Sequence, residues 1–132
     1  TARAVAEVRR VLRPGGRARV MIYHRPSVVG YLLWARYGLL SGRPGRSLAD
    51  IYAHHLESPG TQAFTVEQAR ALFGEFSRIT TRAELSCGDL LEGAAGQRHA
   101  GPLLAARRLW PRAMIRRTLR GHGLFLLIEA VK

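Results

Sequence analysis

Cysteine is almost missing from this chain. Cys87 stands alone, so an internal disulfide is impossible and there is no Cys-x-x-Cys pair to hold a metal. A reducing, cytoplasmic compartment fits that usage. Lysine is equally scarce: Lys132 is the only one, and the basic charge is carried almost entirely by arginine. Acidic residues are few, 9 against 21 basic ones, which leaves a net charge of +12. No apolar run reaches the length of a membrane span. The longest, Val28 to Leu40, is interrupted by Arg36. The Gly-x-Ser-x-Gly elbow of a serine hydrolase and the glycine-rich Walker loop are both absent. Internal repeats and low-complexity tracts are absent too.

What is present is enough for one modest domain. The 132 residues are 47% hydrophobic, which suits a packed core and argues against wholesale disorder. The first residue is Thr1, directly before a helical pattern, and the expectation is a segment cut from a longer domain. The charge fits an anionic partner, either nucleic acid or a lipid surface. The spread of the arginines along the chain favours a plainer reading, a solvated arginine-rich surface shaped by codon usage.

The chain is organised around residues 7 to 24. Val5, Val8, Val11 and Leu12 recur at helical spacing, and Arg13-Pro14-Gly15-Gly16 stops that helix. Arg17 to Tyr23 reads as a strand, apolar at both parities from Val20 onward, as in the interior of a helix-covered sheet. Ser27 is placed to cap a helix over 28–40, which Gly42-Arg43-Pro44-Gly45 breaks. A short helix from Ser47 to about His54 and a turn at Ser58-Pro59-Gly60 follow. Thr65-Val66-Glu67-Gln68 is a capping box opening a helix to about Phe73. Phe76 to Leu85 alternates like a half-exposed strand, with Ile79, Thr81, Ala83 and Leu85 on the inner face. Residues 87–101 read as loop, 102–119 as a helix bent at Trp110-Pro111, and Leu124 to Val131 as the last strand. The expected class is α/β with three strands, the last antiparallel. The expected division is helix–turn–strand over 1–26, a helical insert over 27–63, and the remaining elements over 64–132.

Helix, Leu12-Arg13-Pro14-Gly15-Gly16, then a hydrophobic strand resembles the class I S-adenosylmethionine-dependent methyltransferases of the type 11 kind. There a helix ends in an "LkPGG" turn that feeds the fifth strand of a seven-stranded Rossmann-like sheet. The resemblance implies that this chain is the C-terminal half of such a domain, with its sixth strand at about Phe76 to Leu85. Its seventh would be Leu124 to Val131, inserted antiparallel. It places Val20 in a parallel pairing and the last two strands side by side. The lead-in Ser58-Pro59-Gly60-Thr61 and Phe64-Thr65-Val66-Glu67 is similar to that of small-molecule members. The implied activity is methyl transfer from S-adenosylmethionine to a small acceptor. The family's glycine-rich loop and ribose-binding acid have no counterpart here, since Gly38, Gly42 and Gly45 follow a helix and not a strand. No cofactor-binding residue is therefore expected in these 132 residues, and the fragment alone should be inactive.

Ligands of open α/β sheets sit beyond the carboxyl ends of strands, and Tyr23, His24 and Arg25 occupy that place. They are the candidate substrate-binding residues. His24 is also the candidate base, and His24→Ala in a complete enzyme should slow turnover more than tenfold. The plainer reading is a strand-end histidine bonded to backbone. His54 and His55 are adjacent and share no helical face, no metal spacing links them to Cys87, His99 or His122, and a surface or lid place suits them. Cys87 is expected to be a buried thiol. The apolar helix 28–40 suits a lid, a membrane-surface contact, or packing between domain and insert. Arg108, Arg112, Arg116 and Arg120 would form a basic stripe on a continuous helix. The rival to the enzyme is accordingly a basic module for anionic lipid or nucleic acid.

Overall fold

Helix α1 (Ala2–Val11) runs into a turn whose geometry its residues dictate. Pro14 sits at the second position and Gly15 at the third with φ +74°, while the Gly16 N–H donates to the Arg13 carbonyl at 2.8 Å. Proline there and a glycine with positive φ next are the requirements of a type II turn. The same turn is tied to the end of the chain. Gly15 N–H donates to the Lys132 carbonyl at 3.0 Å, and Lys132 Nζ donates to the Leu12 carbonyl at 2.7 Å.

The computed structural model describes residues 1–56, 59–92 and 109–132. After the turn come β1 (Arg17–His24) and α2 (Val28–Trp34), which widens into a π-helical turn over Ala35–Leu39. Then follow α3 (Leu48–His55), β2 (Ala63–Phe64), α4 (Val66–Leu72) and β3 (Arg78–Glu84). The last elements are α5 (Arg112–Thr118), a 3-10 turn Arg120–His122 and β4 (Phe125–Val131). The capping box is present: Gln68 N–H donates to Thr65 Oγ1 and Thr65 N–H to Gln68 Oε1.

The fold is mixed α/β, with a four-stranded mixed sheet in the order β2-β1-β4-β3. β4 is antiparallel to both β1 and β3 and lies between them, so the last two strands are neighbours as expected. Two expectations are corrected. There are four strands among the described residues, not three, because Ala63–Phe64 adds a two-residue parallel partner to Tyr23 and His24. So short a strand leaves no alternation for a sequence pattern to reveal. Val20, expected in a parallel pairing, is in register with Ile128 of antiparallel β4. The parallel partner is too short to reach it, and the β1 edge along Arg17–Ile22 has no strand beside it among the described residues.

Register decides the two faces. Ala18, Val20 and Ile22 lie beside Ala130, Ile128 and Leu126, with Ile79 and Ala83 beyond. Helices α1 and α4 cover this face through Val5, Val8, Leu12, Ala69 and Phe73. The other face carries Arg17, Arg19 and Met21, and Met21 is 56% exposed. The apolar character of β1 at both parities therefore does not mean two covered faces. Among the described residues the second face is covered only at its Tyr23 end, where Tyr52, Ala63 and Phe125 gather. A third cluster joins α2 to α5 through Val28, Leu90 and Ile115.

Candidate functional site at the carboxyl end of the first strand

The chain leaves β1 through Arg25-Pro26-Ser27 and turns at once into α2. Ser27 makes the turn: its Oγ accepts the Gly30 N–H at 3.0 Å, the expected N-cap. The same hydroxyl donates to Tyr52 Oη at 2.5 Å, and Tyr52 in turn donates to the His24 carbonyl at 3.0 Å. Ser27 and Tyr52 are both fully buried. Burial pushes the Tyr52 phenol up to about 12, even though the Ser27 hydrogen bond pulls it down. Room for this network comes from Gly30, where a Cβ would stand 2.5 Å from Tyr52 Oη.

His24 is 3% exposed. Its Nδ1 lies 3.2 Å from the Gly123 carbonyl, which can only accept, so Nδ1 carries the proton and Nε2 the lone pair. Burial holds the imidazole below its ordinary pKa. The Gly123 carbonyl opposes that, and His122 adds to it. At neutral pH the ring is thus neutral, in the tautomer of a base, and closed to bulk water. His122 lies across from Tyr31, ring centroids 6.0 Å apart, and its Nδ1 is buried without a hydrogen-bond partner. Gly123 permits the approach: a Cβ there would sit 2.0 Å from the Glu84 carbonyl carbon.

Asp89 fastens the neighbouring elements. It is fully buried, and its Oδ2 accepts Ser86 N–H, Ser86 Oγ–H and Leu124 N–H at 2.8 Å each. Its Oδ1 accepts Val29 N–H at 3.1 Å. One carboxylate thus joins the start of α2, the 86–89 turn and the start of β4, and donors on both oxygens offset its burial. The turn that points Ser86 and Asp89 inward turns Cys87 outward. The cysteine is exposed, which corrects the expectation of a buried thiol.

The candidate trio is split by the fold. His24 faces inward. Tyr23 packs on Phe125, ring centroids 6.0 Å apart. Arg25 donates Nε and Nη2 to the Ala63 carbonyl at 3.1 and 2.8 Å, clamping β2 onto β1. A shallow hollow of about 550 Å³ lies along the unpaired β1 edge and takes in Met21, Tyr23, Gln62 and Phe64, but neither His24 nor Arg25. Among the described residues no group of three His, Cys, Asp or Glu side chains could hold a metal ion, and no helix is long and apolar enough to cross a membrane.

No family model, curated protein or solved structure matches this chain.

The other candidates fall as follows. His54 is exposed, while His55 stacks on Tyr37, ring centroids 3.9 Å apart. Of the expected arginine stripe, Arg108 lies outside the described residues, as do His99, Ser58 and the first part of the late helix. The rest is engaged locally. Arg112 donates to the Leu90 and Leu91 carbonyls, Arg116 pairs with Glu92, and Arg120 donates to the Arg116 carbonyl. Helix α5 ends at Thr118, before Arg120, so no single helical face carries the set. Sequence reasoning passed over Tyr52, Asp89 and Gly123. Ser86-Cys87-Gly88-Asp89 did hold a signal, since a serine three residues before an aspartate is a pair that bonds across a tight turn.

Proposed function

We propose that this chain is the C-terminal half of a class I S-adenosylmethionine-dependent methyltransferase domain whose parent transfers a methyl group to a small-molecule acceptor. The observation that carries the reading is the strand order β1-β4-β3, with β4 antiparallel between two strands that run the same way. A helix and an Arg13-Pro14-Gly15-Gly16 turn feed the first of them. This is the arrangement the resemblance implies for the fifth, seventh and sixth strands. Val20 has no parallel neighbour among the described residues, which counts against this reading; the reading requires a further parallel strand beside the β1 edge along Arg17–Ile22.

The residues present do not fit the cofactor itself. Among the described residues the positive-φ glycines are Gly15, Gly42 and Gly60, and none turns from a strand's end into a helix, as a dinucleotide-type loop requires. The exit of β1 is filled by His24, Ser27 and Tyr52. S-adenosylmethionine supplies the reactive methyl group in such enzymes, and its grip must come from outside these residues. This part of the chain contributes the sheet edge and one wall of the acceptor side. The reading is tested on the coding sequence immediately upstream of Thr1. A strand, a Gly-x-Gly-x-Gly loop and an acid about 20 residues further on are expected. An upstream reading frame without them overturns it.

A further inference from the structure

From Val8 to Ala49 the chain carries nine arginines and no acidic residue. In the middle of that stretch the π-helical turn Ala35–Leu39 ends in a knuckle held firmly from beneath. Leu40 N–H donates to the Ala35 carbonyl at 2.9 Å and Arg43 N–H to the Gly38 carbonyl at 2.8 Å, with Gly42 at φ +68°. Trp34 Nε1 donates to the Arg46 carbonyl at 3.0 Å, and Tyr37 stacks on His55. Arg46 pairs with Asp50, the first acid after the stretch. The aromatic side chains face the protein, yet the leucines do not: Leu39 is 54% and Leu40 81% exposed. Arg36 and Arg43 flank them and are exposed as well.

Two bare leucines on a fixed turn lie between two exposed arginines in the chain, Arg36 with its guanidinium 5.2 Å from the Tyr37 ring centroid, and such a tip is matched by one kind of surface. A protein partner would need about 800 Å² on each side for a stable contact, far more than this tip presents. Nucleic acid would use the arginines but has no place for the leucines. A bilayer of anionic phospholipid uses both: its phosphates accept guanidinium hydrogen bonds, and side chains such as leucine bury at the headgroup boundary. We propose that the knuckle 36–43 docks this protein on anionic membrane surfaces, Leu39 and Leu40 entering the interface and Arg36 and Arg43 binding lipid phosphates. The inference does not depend on the methyltransferase reading.

The test is co-sedimentation of the full chain with vesicles of phosphatidylcholine alone or with 30% phosphatidylglycerol added, at about 0.1 M salt. Binding to the anionic vesicles only is expected. Arg36→Gln with Arg43→Gln should weaken it about 30-fold, roughly fivefold for each charge. Leu39→Ser with Leu40→Ser should weaken it at least tenfold. Circular dichroism and thermal melting confirm that both variants, altered only at exposed positions, remain folded. A fluorophore on Leu40→Cys, in a Cys87→Ser background, should shift to the blue on binding. Failure of the wild type to bind overturns the proposal, as does equal binding to both vesicle types. Loss with the arginine pair but not with the leucine pair, and with no fluorophore shift, also overturns it, since a polyanion would then suffice.

Discussion

Replacing Tyr52 with Phe removes one oxygen from the centre of the β1 exit and should change stability in a pH-dependent way. The ring still fills its place, since Tyr52 is fully buried and only the hydroxyl goes. Without it the His24 carbonyl loses its donor and the Ser27 hydroxyl its acceptor. Two buried polar groups left short should cost about 1–3 kcal/mol near pH 7–8. The gap then narrows as pH rises. The folded phenol titrates near 12, the unfolded one near 10. A group whose folded pKa is raised contributes stability that is complete below the unfolded value and drains away as pH climbs through the folded one. Between those limits the wild type should lose about 2 kcal/mol by about pH 11.5, a loss the Phe variant cannot share. Tyr23, Tyr31 and Tyr37 occur in both proteins and cancel in the difference. Urea unfolding followed by circular dichroism at pH 8, 10 and 11.5 measures the gap, read at unchanged m-value. It should close, leaving the two proteins about equal at the highest pH. A gap that stays constant within about 0.5 kcal/mol would mean that Tyr52 is not a buried neutral phenol and would refute the network.

Two further outcomes follow from the same site. His24 has its folded pKa depressed by burial, so its contribution is present above the unfolded value of about 6.5 and is lost as pH falls below it. His24→Asn, whose amide can still donate to the Gly123 carbonyl, should flatten acid destabilisation as pH falls below about 6.5, and an unchanged acid limb in thermal melts would count against the buried imidazole. Gly123→Ala should cost about 3 kcal/mol or more, because the added carbon meets backbone at 2.0 Å, whereas Gly121→Ala, with nothing within 4 Å, should melt within a few degrees of wild type. Equal melting temperatures for the two alanine variants would contradict the close approach of β3 and the chain before β4.

Much of the secondary structure was legible because its causes are local. The type II turn needs only Pro14 followed by Gly15, the capping box only Thr65 and Gln68, and β3 only the alternation of Ile79, Thr81 and Ala83 with charged or polar neighbours. Each signal spans four or five residues, the reach of a single turn or cap hydrogen bond. The candidate site was legible only as a place, the exit of β1. The roles of its members were not. Tyr23, His24 and Arg25 are consecutive, yet one packs on an aromatic ring, one on a buried carbonyl, and one clamps a neighbouring strand. Cys87 and Asp89, two residues apart, end on opposite sides of their turn.

The sequence by itself determined where helices α1, α3 and α4 start and stop, which strand positions are apolar, and the sign of the surface charge. Tertiary structure alone decided that β1 gains a two-residue parallel partner in β2, that Met21 faces solvent, and that His24 is neutral and enclosed. The reason is separation along the chain. The bonds that define the site join Ser27 to Tyr52 across 25 positions, Val29 to Asp89 across 60 and His24 to Gly123 across 99. A side chain's environment at such distances is set by which strands meet, and no local pattern of residue types carries that information.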